Sequence, residues 1–271
     1  MTSPDGGTPV NSPDFPGDSS GAGALPARRR GGGGTLALEV TGRCPLACCY
    51  CYNPWAATGE EAKDGADEEW GHAPGELPAA ELVALAGKAL AASGLGHVQV
   101  SGGEPLLYGA LPALLAGLVA LGRPVSLVTS GPLLSEATVA ELARLGVGPV
   151  QPTLLAASRA LHDELKGAKS FDATVAAIAR LRQARVPVSV AFVCTARNHD
   201  RLAEVVELCF ALGVKHIAFS RFCSAGAGLR NHAGLAPSLE MVRSCLDVAE
   251  WATARLETRV HVAIALPWCV A

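Results

Sequence analysis

Short apolar runs alternate with longer amphipathic segments along most of this chain. Runs rich in Val, Leu and Ile, each bounded by turn residues, predict strands at Thr35–Val40, His97–Ser101, Pro124–Thr129, Pro149–Leu155, Pro187–Thr195 and His216–Arg221. Apolar positions recur at helical spacing over Pro78–Ser93, Ala110–Leu121, Ser135–Leu145, Phe171–Arg185, Asp200–Leu212 and Ser238–Leu256. Pro78 suits a first helical turn, Ser135 and Asp200 suit N-caps, and Gly146 and Gly213 sit where helices should stop. Continuous apolar strands such as Val188–Val193 are what a sheet covered on both faces requires. Six βα units in series imply a parallel sheet with right-handed crossovers, and Thr258–Leu266 reads as one further strand. Two closures fit, a doubly wound open sheet and a curved partial barrel. The dinucleotide-binding form of the first demands G-x-G-x-x-G after the first strand, but Gly31–Gly34 precede that strand and a cysteine cluster follows it. The pattern therefore favours a barrel-type sheet with its functional groups at the C-terminal strand ends.

Composition narrows the picture. A chain of 271 residues with 49% hydrophobic side chains buries a substantial core without disulfides. A net charge of −3 excludes bulk electrostatic capture of nucleic acid or of an anionic membrane. The stretch Leu111–Leu121 holds Pro112 and falls short of the roughly 20 residues a bilayer span needs. Residues Met1–Gly34, dominated by Pro, Gly, Ser and Asp and containing Arg28-Arg29-Arg30, read as a disordered, solvated arm with no signal-peptide core. The expected location is the cytoplasm, where cysteines stay reduced, so nine of them need an explanation other than disulfides.

Cys44, Cys48 and Cys51 follow the first strand as C-x3-C-x2-C, with Tyr50 just before the last. Three thiolates this close on a loop can ligate three irons of one cubane cluster and leave the fourth iron open. A zinc site closed by His72 is the alternative reading of the same residues. Inert core cysteines are not expected on a polar, Pro-containing loop.

With these residues the chain resembles the radical S-adenosylmethionine (SAM) superfamily. The resemblance runs from about Thr35 to Ala271 and implies a partial (β/α)6 TIM-like barrel. It implies a 4Fe–4S cluster on Cys44, Cys48 and Cys51, with the amino and carboxylate groups of SAM on the open iron. Reductive cleavage would give a 5′-deoxyadenosyl radical that takes hydrogen from a substrate, with electrons from a donor such as flavodoxin or ferredoxin. Ser101-Gly102-Gly103-Glu104-Pro105 matches the family's GGE motif, which implies a contact to the SAM amino group. Glycines admit close backbone approach, and a carboxylate suits an ammonium. Ser130 in Thr129-Ser130-Gly131, Thr153 and Tyr50 are the remaining expected cofactor contacts, and Asn198 reads as a helix cap.

Within the superfamily the chain is similar to the peptide-modifying branch that carries a cysteine-rich SPASM extension. The shared strings are Arg43–Leu46, Tyr50-Cys51, Asn53-Pro54, Ser101–Leu107, Thr129–Gly131, Val150-Gln151 and Leu266-Pro267. This implies a ribosomally made precursor peptide as substrate, cross-linked or otherwise matured, with a leader-binding chaperone as partner. Rival readings are a radical SAM enzyme acting on a small molecule or activating another enzyme, and a non-catalytic iron–sulfur or zinc protein. In the fourth strand Leu155 stands where relatives place a polar group, and Pro152 removes a ladder donor. Residues 258–271 read as an extra strand and the start of a truncated extension, with Cys269 a candidate ligand of an auxiliary iron–sulfur cluster. The acidic stretch Gly59–Glu76 reads as a solvated loop. Cys194, Cys209 and Cys245 read as core residues, Cys223 as an outside candidate for ligation or radical relay, and His162-Asp163 as structural.

Overall fold

The computed structural model describes residues 32–53 and 75–262. The basic run Arg28–Arg30, most of the acidic stretch, His72 and Cys269 lie outside the described residues.

Alternation begins with β1 (Gly32–Glu39), α1 (Ala79–Ser93), β2 (Leu95–Ser101), α2 (Leu111–Ala120), β3 (Val125–Thr129), α3 (Glu136–Leu145) and β4 (Val150–Pro152). It continues with α4 (Arg159–Lys166), α5 (Phe171–Gln183), β5 (Val190–Cys194), α6 (Leu202–Ala211) and β6 (His216–Arg221). After β6 come α7 (Gly226–Arg230), α8 (His232–Leu235), α9 (Leu239–Leu256) and β7 (Arg259–Val262). Every strand pairing is parallel, in the orders β1-β2-β3-β4 and β5-β6-β7. Bridges Val150↔Val188 and Thr153↔Ala191 join the two halves. The expected α/β architecture of a partial barrel is what forms, including the seventh strand.

Alternate residues of each strand divide the barrel's two faces. Val98, Leu127, Val150, Val190, Phe192 and Ile217 are fully buried in one core that includes Leu114, Leu118, Ile178 and Leu181 from the helices. In β2, β3 and β4 the intervening positions include the polar residues Gln99, Ser126 and Gln151, of which Ser126 is buried.

Several local expectations hold. Ser135 caps α3 by accepting the Thr138 N–H at 3.1 Å, and Gly146 ends that helix in the left-handed region at φ 68°. Others are corrected. Asp200 is not an N-cap: residues His199–Arg201 form a 3-10 turn before α6, and Asp200 pairs with Arg201 instead. Nor does the Asn198 side chain cap a helix. Its Oδ1 accepts from the Thr195 N–H and hydroxyl at 2.8 Å each, and its Nδ2 donates to the Leu155 and Val193 carbonyls at 3.0 Å each. Asn198 thereby ties the end of β4 to the end of β5. β4 is shorter than expected because Pro149 and Pro152 have no N–H for the ladder.

His162 is fully buried, its Nδ1 accepting the Leu155 N–H at 3.3 Å and its ring edge-on to Phe171. Burial, reinforced by Lys166 and opposed by Asp163, holds its pKa down at about 4. The unfolded chain binds a proton at this residue near its ordinary value of about 6.5, so the native state loses stability as pH falls through the interval between them. Urea unfolding at about pH 7 and about pH 4 should differ on this account by on the order of 3 kcal/mol, and His162→Gln should remove that part of the difference. An unchanged pH dependence in the variant would contradict the assignment.

Candidate active site

The site is assembled where β1 and β2 end. Past β1 the chain enters the cysteine loop, and three backbone bonds lash that loop to the glycine turn after β2. The Val40 N–H donates to the Ser101 carbonyl at 3.0 Å, Gly103 N–H to Thr41 at 2.7 Å and Glu104 N–H to Arg43 at 2.7 Å. Approach this close explains both glycines. A Cβ on Gly102, where φ is +143°, would lie 2.6 Å from the Thr41 carbonyl oxygen, and one on Gly103 would lie 2.3 Å from that of Arg43.

Glu104 joins the glycine turn to the third strand. Its carboxylate is completely buried and accepts the Thr129 hydroxyl at 2.7 Å, the Ser130 N–H at 2.7 Å and the Leu106 N–H at 3.2 Å. The Ser130 hydroxyl is a further donor to it. Two motifs that sequence reasoning treated separately are therefore one hydrogen-bonded unit. Thr153 lies farther along the same row of strand ends, half-buried and bridged to Ala191.

The cysteine loop is held from two further sides. At the C-terminal end of α4 the Leu165 carbonyl accepts from the Cys49 N–H at 3.1 Å and its Sγ at 3.5 Å. From α7 and its C-cap, the Gly228 N–H donates to the Cys51 carbonyl at 3.0 Å and Asn231 Nδ2 to that of Cys49 at 2.9 Å. Cys49 thus serves docking. Arg43 anchors the loop laterally, with Nε and Nη2 on Glu76 at 3.0 and 3.2 Å and Nη2 on the Leu107 carbonyl at 2.6 Å.

Cys44, Cys48 and Cys51 are free and half-buried. Burial pushes the Cys44 thiol up to about 12 and raises Cys48, while Lys166 and a hydrogen bond from Tyr50 act in the opposite sense on Cys48. Burial likewise raises Tyr50, and the charge of Cys48 adds to it. Lys166, 1% exposed, stands in the field of Cys48, Glu104, Cys44 and Cys51, with burial pushing its pKa down. Sequence reasoning missed Lys166. Its signal was the Lys-Gly that closes a short polar helix, with Gly167 at φ 66° and the Ala47 carbonyl oxygen 2.5 Å from where a Cβ would be. Cys223 is half-buried, its Sγ 3.9 Å from the Arg221 carbonyl, and it acts electrostatically on Tyr52, which donates to Glu39 at 3.0 Å. Cys194, Cys209 and Cys245 are in the core, as expected, and Cys194 and Cys245 lie 3.8 Å apart.

The donor set suits the group expected there. A 4Fe–4S cluster takes each thiolate on a different iron, and Cys44, Cys48 and Cys51 are three free, half-buried thiols on one loop.

Comparison with known proteins decides the family. Residues 38–212 match the model of the radical SAM superfamily. The chain belongs to the radical SAM superfamily. Its enzymes use a 4Fe–4S cluster and SAM. The chain is similar to the PqqA peptide cyclase of Streptomyces rochei, with 33% identity over 222 residues, 81% of this chain and 57% of that protein. It is similar too to the PqqA peptide cyclase of Rhodopseudomonas palustris, at 30% identity over 85% of this chain and 58% of the relative. The chain thus spans little more than half the length of these curated relatives. Among solved structures, Streptococcus suis SuiB bound to SAM superimposes with a TM-score of 0.67 and 17% identity, over 86% of this chain and 51% of that one. SuiB bound to its precursor peptide SuiA gives 0.66 and 16%, over 84% and 48%. These likenesses show the fold. No helix among the described residues is long and apolar enough to cross a membrane.

Proposed function

We propose that this protein holds a 4Fe–4S cluster on Cys44, Cys48 and Cys51, cleaves SAM reductively, and abstracts hydrogen from a ribosomally made peptide in cross-linking or another maturation. The observation that carries the reading is the seating of the cysteine loop on Gly102-Gly103, with buried Glu104 fixed by Thr129 and Ser130 beside it. When bound, the cluster and SAM supply an adenosyl radical for hydrogen abstraction, so the hard chemistry belongs to the cofactors. The chain's residues orient and enclose. Gly102 and Gly103 let the backbone of the cysteine loop seat directly on the turn that carries Glu104. Glu104 offers a negative charge for the SAM ammonium, and Ser130 and Thr153 offer hydroxyls along the row of strand ends. Tyr50 fixes the Cys48 thiol by its hydrogen bond.

The peptide substrate is supported by relatives whose names specify peptides, PqqA peptide cyclase and SuiB with SuiA. A flavodoxin or ferredoxin would deliver the electron, and a leader-binding chaperone would present the peptide. An auxiliary iron–sulfur cluster belongs to this proposal only through Cys269, which lies outside the described residues. Anaerobically reconstituted protein given SAM and a strong reductant should release 5′-deoxyadenosine. Its absence from protein with full iron content would overturn the reading, and products from a precursor peptide would be read as loss of hydrogen mass.

A further inference from the structure

We propose that α7 and the turns packed with it around the cysteine loop form the docking surface for an acidic electron-carrier protein of the flavodoxin kind. Leu229 is its apolar contact, and Arg230, Arg221 and Lys169 are its cations. This rests on Cys44, Cys48 and Cys51 being the cluster ligands, because theirs is the cluster the carrier would reduce. The first observation is how α7 is fastened. The Gly228 N–H donates to the Cys51 carbonyl at 3.0 Å, and Asn231 Nδ2 donates to the Cys49 carbonyl at 2.9 Å. Leu229 and Arg230 lie between those two anchors, at the end of α7. A protein that touches them is separated from the site's loop by one short helix, itself hydrogen-bonded to Cys51. Leu229 is 61% exposed, more than any other large apolar side chain among the described residues. Isolated exposed leucines are ordinary, but this one stands beside an arginine on the helix that holds the loop.

The second observation is charge. Four segments meet around the loop: the Leu165 carbonyl accepts from Cys49, Gly167 lies against Ala47, and the Ala196 N–H donates to the Leu235 carbonyl of α8 at 2.8 Å. Residues 40–53, 165–171, 195–199 and 221–239 contain Arg43, Lys166, Lys169, Arg197, Arg221 and Arg230 and no Asp or Glu, in a chain whose net charge is −3. Lys166 is buried, and Arg43 and Arg197 pair with Glu76 and Glu164 from outside those segments. Lys169, Arg221 and Arg230 are exposed and form no ion pair among the described residues. A local excess of cations on an otherwise acidic chain selects an anionic partner and speeds its approach. An apolar contact with charged groups around it is the layout of a small, transient interface. The loop behind this surface points to the partner's chemistry. One electron leaves the carrier's flavin hydroquinone, which becomes the semiquinone, and the cluster gains that electron; no covalent bond forms or breaks.

The test is the affinity of oxidised flavodoxin for the reconstituted full chain, measured anaerobically by calorimetry at low salt and matched iron content. Arg230→Glu and Lys169→Glu should each weaken binding about tenfold, and added salt should weaken the wild type more than either variant. Leu229→Asp should weaken it by about the same factor without touching a cation. Cluster reduction by flavodoxin hydroquinone, followed by the growth of the EPR signal, should slow in step with the affinity. Reduction by dithionite needs no docking and should stay within about twofold of wild type in all three variants. Unchanged flavodoxin affinity in both charge reversals, or dithionite reduction slowed as much as flavodoxin reduction, would overturn the docking surface and leave the cluster assignment intact. A wild type that forms its cluster but binds no flavodoxin would do the same. Failure of the wild type to form any cluster would overturn the assignment itself.

Discussion

Replacing Cys48 by Ala should abolish 5′-deoxyadenosine formation, by at least about a hundredfold, because even outer-shell partners of metal ligands are worth about 10–100-fold. The reason is local. Cys48 lies between the other two cysteines of the motif, receives the Tyr50 hydrogen bond and is the cysteine that acts most strongly on Lys166. Its loss leaves two thiolates for a cluster that requires three. Cys49→Ala is the control one residue away. The Cys49 thiol spends its hydrogen bond on the Leu165 carbonyl, so that variant should keep its iron and its activity within a few-fold. Iron content and product yield, measured on both proteins, separate a ligand from a neighbour. Equal losses in the two variants would contradict the ligand assignment.

The second large effect is expected from a single methyl group. Gly103→Ala places a Cβ 2.3 Å from the Arg43 carbonyl oxygen and 2.8 Å from that of Gly42, both backbone atoms. Neither can swing aside as a side chain would. The cysteine loop must move away from the turn that carries Glu104, breaking the Gly103 to Thr41 and Glu104 to Arg43 bonds. Overpacking at a rigid backbone contact should cost about 3 kcal/mol, and iron incorporation should fall with it. Gly122→Ala provides the comparison: φ there is +70° and a Cβ would meet nothing within 4 Å. Only the left-handed backbone penalty of about 1–2 kcal/mol applies at Gly122, with iron content unchanged. Urea unfolding and iron analysis on the pair check both statements.

What could be read from the sequence follows from how local each signal is. The strands announced themselves because a sheet covered on both faces needs apolar runs, and β5 supplies an unbroken one while β6 holds Ile217-Ala218-Phe219 at its centre. The long helices α1 and α9 were legible from their periodicity, and Ser135 and Gly146 from capping chemistry that reaches only a few residues. The short helices α4, α7 and α8 were not, since eight residues or fewer give too little periodicity to detect. The cysteine triad was legible because its spacing is itself the site. The part played by Asn198 was not, because its partners include the Leu155 carbonyl on another strand end. Lys166 was hidden for the same reason: nothing in the chain near it points to Cys48 or Glu104, and only folding brings them together. Glu104 and Ser130 were each legible as members of motifs, whereas their mutual bond was a matter of strand order, β2 beside β3.

The most direct measurement of the central claim is the EPR spectrum of the reduced, reconstituted protein with and without SAM, alongside its iron content. A cluster ligated by Cys44, Cys48 and Cys51 with one open iron predicts four irons attributable to this site and a spectrum that changes when SAM is added. Stoichiometric zinc in place of iron, or a reduced cluster whose spectrum SAM leaves untouched, would contradict it.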